Sequence, residues 1–328
     1  MLRDIIIPVT FGFALFLFGM KVMEAALHAW AGPRLIKILE ASTRTPWTGL
    51  LSSAFVTAIL QSSTAITVMS IGLVNAGLLS YSRTLGIILG GNIGTTLTTE
   101  LIALNILKYG APLLTVSLTL WAASIMTGEI SPRRYSMRWV TMLKTIQYSS
   151  LAVAGFSMIM IAITWMQSIG PSLESHGMIK WLLDHAGYSL IWGAIAGAIL
   201  TALIHSSAAV IAMTMGLVGT GLLPIELGIA MVIGSNVGTC VTALIASAGG
   251  SKSGKFVALS HITLNLGGAL LFLPMISQLA AVVSWISSDP AAQIAHSQTL
   301  FNVICSLIAL PICYLPLWTR IEPKDSKL

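Results

Sequence analysis

Charge is what this chain has least of. Asp, Glu, Lys and Arg make up 9% of its 328 residues, against about a quarter in soluble domains. A globule that must cover itself with polar surface is excluded. Cysteine is almost as scarce. Cys240, Cys305 and Cys313 all sit in apolar runs without metal-ligand spacing, and they read as small packing residues. The alternation that marks a membrane β-barrel is absent. His205 stands beside Ser206, but no carboxylate partner is in view, so a hydrolytic triad finds no support and no enzyme is expected.

Apolar length is what the chain has instead. Hydrophobic residues reach 55% and the mean hydropathy is +0.89. Several runs are long enough to cross the roughly 30 Å hydrocarbon core, which takes about 20 helical residues. The fold class is therefore all-α integral membrane, with the lipid bilayer as first partner. The net charge of +6 speaks to orientation rather than to nucleic acid. The N-terminal run Ile5–Met20 is followed by Ala29-Trp30-Ala31, a faint cleavage signal. The only basic residue before it, Arg3, is offset by Asp4. Residues 4–30 thus read as a first membrane helix, not a leader.

The chain is a duplication. Shifted by 144 residues, TAILQSSTAITVMSIGLVNAGLL falls on TALIHSSAAVIAMTMGLVGTGLL without a gap, and GGNIGTTLT falls on GSNVGTCVT in the same register. Between Thr57 and Thr98, 17 of 42 positions are identical, where chance in so biased a composition gives roughly one in ten. Repeat 1 is taken as residues 1–130 and repeat 2 as 131–276. Residues 277–328 are taken as an extracellular segment, a last helix and a cytoplasmic tail.

Expected spans are 4–30, 84–107, 111–128, 139–166, 225–247, 256–276 and 298–318. Segments 47–80 and 191–223 differ. Each is two apolar arms, too short to cross, meeting at a Ser-Ser pair, and each reads as a re-entrant hairpin. Loops 31–46, 80–84, 129–144 and 248–255 and the C-terminus hold thirteen basic residues, against three (Arg3, Lys108, Lys180) on the other side. The first side is then cytoplasmic and the N-terminus outside. The two copies are inverted, each with a hairpin and a broken transmembrane helix, as in secondary transporters that bind substrate and ions near the midplane.

The polar residues of the duplication are the candidate ligands. An isolated Ser pair in a membrane helix usually bonds back to its own backbone or packs at an interface; repetition in register favours function. At a hairpin tip the N–H groups of the returning arm face inward and favour an anion. Hydroxyls of Ser62, Ser63, Ser206 and Ser207 can donate to an anion or accept a cation. In GGNIGTT and GSNVGTC the glycines permit unwinding, and Asn92, Thr95, Asn236 and Thr239 offer hard oxygen ligands that suit Na⁺. Glu100 is an acid inside a span with no counterpart, since position 244 is Leu. It is a candidate for coupling or charge balance beside the plainer reading of a hydrated or paired structural acid. Lys21 and Glu24 are spaced to pair on one helix face. His261 and Asn265, four apart, suit interhelical hydrogen bonding more than ligation.

QSSTAIT and HSSAAVI, each followed about 30 residues later by GxNxGT, resemble the type II sodium/phosphate cotransporter family. FLFGMKVM and AHSQTLFN are similar to other patterns of its bacterial members. The resemblance covers nearly the whole chain. It implies phosphate held by Gln61, Ser62, Ser63 and Thr64 in the first copy and His205, Ser206 and Ser207 in the second. It implies Na⁺ held by Ser63, Thr64, Asn92, Thr95, Thr96, Ser207, Asn236 and Thr239. The family tip is Q-S-S-S in both repeats; here Thr64 replaces a serine, Ala208 loses the hydroxyl and His205 stands for the glutamine. Many bacterial members carry a PhoU-like domain after the membrane part, and none is expected here. The expected function is Na⁺-coupled transport of inorganic phosphate by alternating access, with Na⁺ as coupling ion, no cofactor, and a homodimer among the assemblies foreseen. Alternatives are a transporter of another small oxyanion or dicarboxylate, and a non-transporting sensor or subunit acting with a PhoU-like partner.

Overall fold

The computed structural model describes residues 7–104, 106–130, 137–168, 189–248 and 251–321, which are helical almost throughout and contain no strand. In chain order the helices are α1 (Ile7–Ser42), α2 (Pro46–Leu60), α3 (Ser63–Asn75), α4 (Tyr81–Gly94), α5 (Thr96–Ala103), α6 (Gly110–Ile130) and α7 (Met137–Gln167). After these come α8 (Leu190–Ile204), α9 (Ser207–Gly219), α10 (Ile225–Gly238), α11 (Cys240–Ser247), α12 (Lys252–Phe272), α13 (Ile276–Ile286), α14 (Pro290–Ala309) and α15 (Leu317–Ile321). Seven helical stretches among the described residues are long and apolar enough to cross a bilayer: Thr10–Ser42, Tyr81–Ala103, Leu107–Gly128, Met137–Met166, Ile225–Ser247, Lys252–Ile286 and Pro290–Tyr314. The protein is an all-α, multi-pass membrane protein.

Several expected boundaries are corrected. The first helix does not stop at residue 30. It runs through Pro33 to Ser42 because Leu35 and Leu39, one turn apart, are buried and extend its apolar face into what reads as a charged loop. The span expected to end at 107 ends at Ala103. Within 277–297, read as an extracellular segment, lies most of α13, whose Ile276, Leu279, Ala280 and Val283 are buried on one face. The last long helix starts at Pro290, not 298. Asp289 caps it by accepting from the Ala291 N–H at 3.0 Å, with Pro290 at its first position. Residues 131–136, inside an expected cytoplasmic loop, and 169–188 lie outside the described residues.

The chain forms two compact units, and each draws on both repeats. One unit gathers most of α1 with α6 and α7. Its crossing of α1 and α7 is built on a reciprocal pair of glycines. A Cβ on Gly19 would lie 2.6 Å from the Gly155 carbonyl oxygen, and one on Gly155 2.5 Å from that of Gly19. Nearby, Phe16, Met20, Met23, Ile159, Met160 and Ile163 are buried, and Lys21 pairs with Glu24 at 2.8 Å as their spacing suggests.

The other unit holds the end of α1, α2–α5 and α8–α15, and here the duplication is geometric. The bounds of α2, α3, α4 and α5 become those of α8, α9, α10 and α11 on adding 144. Small residues let α4 lie on α2, and α10 on α8, almost backbone to backbone. A Cβ on Gly90 would meet the Leu50 carbonyl at 2.1 Å, and one on Gly234 the equivalent Ala194 carbonyl at 1.8 Å; Gly94 and Gly238 repeat the pattern against Ala54 and Ala198. Helices α3 and α9 both end in a left-handed glycine, Gly77 at φ 73° and Gly221 at φ 75°. Glycine adopts that conformation without steric cost and so closes the C-terminal cap.

Candidate functional site

Two identical turns lie at the centre of the repeat. Helix α2 ends at Gln61, whose N–H reaches the Thr57 carbonyl at 2.7 Å; α8 ends at His205, whose N–H reaches the Thr201 carbonyl at 2.8 Å. Both residues are left-handed, with φ 56° and 59°, and they are the only non-glycine residues with positive φ among those described. Each such conformation costs a residue with a side chain about 1–2 kcal/mol, so a large polar side chain is kept at a position that favours glycine. Ser62 and Ser206 then cap α3 and α9. Their hydroxyl oxygens accept from the N–H groups of Ala65 at 3.3 Å and Ala209 at 3.2 Å.

This division of labour separates the two serines of each pair. Ser62 and Ser206 are spent on the backbone. The side-chain hydroxyls of Ser63, Thr64 and Ser207 have no partner among the described residues, and helix geometry leaves the first N–H groups of α3 and α9 without intrahelical acceptors. Free hydroxyls and free N–H groups thus lie together at two positive helix ends. His205 is exposed and Gln61 half-buried. One turn before each junction lies a second duplicated feature. Thr57 and Thr201 are fully buried, and neither hydroxyl has a hydrogen-bond partner among the described residues.

The GxNxGT segments break their helices less than expected. Thr95 and Thr239 interrupt α4–α5 and α10–α11 as single residues at φ −66° and −62°, within helical torsion space. The glycines do not unwind the chain; they are used for close packing against α2 and α8. The Thr95 and Thr239 hydroxyls donate to the carbonyls of Asn92 at 2.8 Å and Asn236 at 2.6 Å, and Thr96 donates to Ile93 at 2.8 Å. Their protons are engaged, but the oxygen lone pairs stay available to a cation. The Asn92 side chain donates to Asn265 Oδ1 at 3.0 Å, the interhelical bond expected of Asn265. The Asn236 side chain turns back to the Val232 carbonyl at 2.9 Å.

Helix α5 connects these parts. The Thr98 hydroxyl donates to the Gln61 side-chain carbonyl. The Thr99 hydroxyl donates to Gln298 Oε1 on α14 at 2.5 Å. Glu100 accepts from the Thr299 hydroxyl at 2.5 Å, and its two carboxylate oxygens lie 3.2 and 3.0 Å from His296 Nδ1. The copies also cross over: α9 packs on α5, and α3 packs on α11. Thr98, Gln298, His296 and Thr299 were not singled out by sequence reasoning. The repeat could not find them, because α14 lies outside it, and the signal was AHSQTLFN, whose Ser297, Gln298 and Asn302 are all buried. A groove of about 540 Å³ along α12 and α14, lined by groups such as Leu259, Leu271, Ile308 and Trp318, contains none of the candidate residues and is too apolar for an anion.

Comparison with known proteins gives consistent matches. The family described as Na⁺/Pi-cotransporter matches residues 15–168 and 173–305. An uncharacterized protein of Bacillus subtilis, YqeW, is 32% identical over 307 residues, covering 92% of each chain. The putative inorganic phosphate export protein YjbB of Escherichia coli is 24% identical over 301 residues, 91% of this chain and 52% of that protein, so this chain spans about half its length. Sodium-dependent phosphate transport protein 2A of Rattus norvegicus is 34% identical over 101 residues, 30% of this chain and 16% of the rat protein. No solved structure gives a significant match.

The strained turns yield a first test. His205→Gly should leave thermal stability in detergent unchanged or raise it by about 1 kcal/mol, since glycine relieves the left-handed residue. Gln61→Gly should gain less, because the Gln61 side chain also bonds Thr98. A clear loss of melting temperature in His205→Gly would show that the histidine side chain is needed for folding.

Proposed function

The chain belongs to the Na⁺/Pi-cotransporter family, a family of transporters and not of enzymes, and from that premise we propose that it carries inorganic phosphate across the membrane together with Na⁺. The observation that carries the reading is the duplicated turn: two helix N-termini, each with an unengaged hydroxyl at Ser63 or Ser207. Helix N-termini favour anions without any basic side chain, and neither QSST nor HSSA contains one. Phosphate lies between the two turns, bound by the Ser63 and Ser207 hydroxyls and the backbone N–H groups beside them, with Gln61, Ser62, Thr64, His205 and Ser206 completing its surroundings. Na⁺ takes the remaining oxygen lone pairs of Thr95, Thr96 and Thr239 with the side-chain carbonyls of Asn92 and Asn236, and it limits the net charge buried with the anion. The E. coli relative is named as a putative inorganic phosphate export protein and the rat relative as a sodium-dependent phosphate transport protein, which supports phosphate as the substrate.

Alternating access follows from parity. Helices of 15 and 13 residues are about 22 and 20 Å long, short of the roughly 30 Å core, which supports re-entrant hairpins for α2–α3 and α8–α9. Among the described residues, three spans, 81–103, 107–128 and 137–166, separate the pairs. The first hairpin then enters from one side and the second from the other, and the copies are inverted about a site both sides can reach in turn. The excess of basic residues in segments 31–46, 80–84, 129–144 and 248–255 and the C-terminus, thirteen against three, supports a cytoplasmic placement of that side.

Purified protein in liposomes should take up phosphate with an inward Na⁺ gradient and not with K⁺ in its place. Ser63→Ala or Ser207→Ala should weaken phosphate binding by about 1.5–3 kcal/mol, a hydrogen bond to a charged group, with melting temperature unchanged; Na⁺-independent uptake, or full uptake by both variants, would reject the assignment. For orientation, Ser288→Cys should react with an impermeant maleimide on intact cells and Lys252→Cys only after lysis, and the opposite pattern would reverse the topology.

A further inference from the structure

Glu100, His296 and Thr299 form a cluster that the anion and Na⁺ sites do not use. The acid occurs in one copy only, since its equivalent is Leu244, so the cluster departs from the duplication. An acid within an apolar span is costly unless paired. This one has its carboxylate against His296 Nδ1, at 3.0 and 3.2 Å, and under the Thr299 hydroxyl. The side chains of His296 and Glu100 are 24% and 28% exposed, so protein does not seal the pair. Two residues earlier on the same helix, Thr98 bonds Gln61 at the first turn, and between them Thr99 bonds Gln298. Three consecutive residues of α5 thus link the turn to the pair.

We propose that this cluster is a proton-binding site that sets the affinity of the neighbouring anion site. The inference rests on phosphate transport by the chain. In the neutral state the ring donates its Nδ1–H to Glu100 and the pair carries one negative charge. A proton taken from water at Nε2 makes an imidazolium, and the net charge of the pair becomes zero. A net negative charge two residues from the Gln61 contact opposes an anion at the turn, and its loss favours the anion. Phosphate binding and proton uptake at His296 therefore promote one another equally. Histidine is in general the side chain that changes charge near neutral pH, which is why the test compares two pH values on either side of it.

The surroundings leave His296 and Glu100 to each other. Helices α2 and α9, against α5, carry no ionisable side chain, and neither does α13, against α14. The remaining neighbours of the two helices carry Tyr81 and Arg83 at the start of α4, Glu226 at the start of α10 and Lys252, Lys255 and His261 on α12. Cys313 and Tyr314 follow α14, which itself has Asp289 at its cap and Cys305. Among the described residues none of the charged groups forms an ion pair with the cluster, and Asp289 is engaged by its own helix end.

The test is the apparent phosphate KM for uptake into proteoliposomes with an inward Na⁺ gradient at pH 6 and pH 8, each variant compared with wild type at the same pH so that phosphate's own ionisation cancels. H296Q leaves the negative charge in place: its KM should exceed wild type at pH 6 by about fivefold or more, the low end of ordinary site coupling, and match it at pH 8. E100Q removes that charge: its KM should fall below wild type by a similar factor at pH 8. His296→Arg, with a fixed positive charge, should match wild type at pH 6 and fall below it at pH 8, and it keeps the test open if H296Q does not fold. A merely structural clamp would shift all variants in one direction at both pH values, and that result would overturn the proton site while leaving transport intact. Absence of wild-type phosphate uptake at both pH values would overturn the transport reading and this one with it.

Discussion

A helix that stops inside an apolar chain leaves N–H and C=O groups that no lipid can satisfy. The two turns of this protein are the answer to that constraint, given twice. The chain takes one left-handed residue, Gln61 or His205, to return the last N–H to the preceding turn, and one serine, Ser62 or Ser206, to cap the next helix. What the caps leave over is small and specific: a first-turn pair of N–H groups with the hydroxyls of Ser63 and Thr64 in one copy and of Ser207 in the other. An arrangement forced by backbone satisfaction thus leaves unengaged donors at a helix N-terminus, and the two members of each Ser-Ser pair differ in that one is spent on the cap and the other is not.

The turns must also be held in place, and glycine does this more than side chains. Helices α4 and α10 approach α2 and α8 so closely at Gly90, Gly94, Gly234 and Gly238 that any Cβ would collide with backbone. Such a contact fixes each turn relative to the helix break carrying Asn92 or Asn236. Cross-packing of α9 on α5 and of α3 on α11 then joins the two copies. The partnerless hydroxyls of Thr57 and Thr201, buried where a polar group ordinarily finds a partner, lie within this same packed region, one turn from each junction. They mark places where the protein alone does not complete its hydrogen bonding.

Much of this was legible in the sequence for a physical reason. Duplication preserves register, so the four helix bounds repeat at 144 residues and the Ser-Ser pairs fall at equivalent turns. Where the sequence misled, local composition spoke louder than a helix face. Arg34, Lys37 and Arg44 suggested a loop, while buried Leu35 and Leu39 carried α1 onward. Asp289-Pro290, a cap followed by a favoured first residue, marked the start of α14 and went unread beneath the hydropathy signal. Glycine in GxNxGT can serve unwinding or close approach equally well; only the neighbouring backbone decides, and it decides for approach. The links from α5 to Gln298, Thr299 and His296 join residues about 200 apart with no repeat to relate them, and nothing in a single sequence brings such pairs together.

The central claim is that the anion is held by helix ends and hydroxyls rather than by basic side chains. Two positive helix ends in a low dielectric call for a negative charge, and in the proposed reading phosphate supplies it. An experimental structure of the protein with phosphate and Na⁺ tests this directly. The account requires density for the anion between the two turns, within hydrogen-bond distance of the Ser63 and Ser207 hydroxyls and adjacent backbone N–H groups and of no lysine or arginine. Phosphate held instead by Lys21, Lys108 or the loop arginines would contradict it.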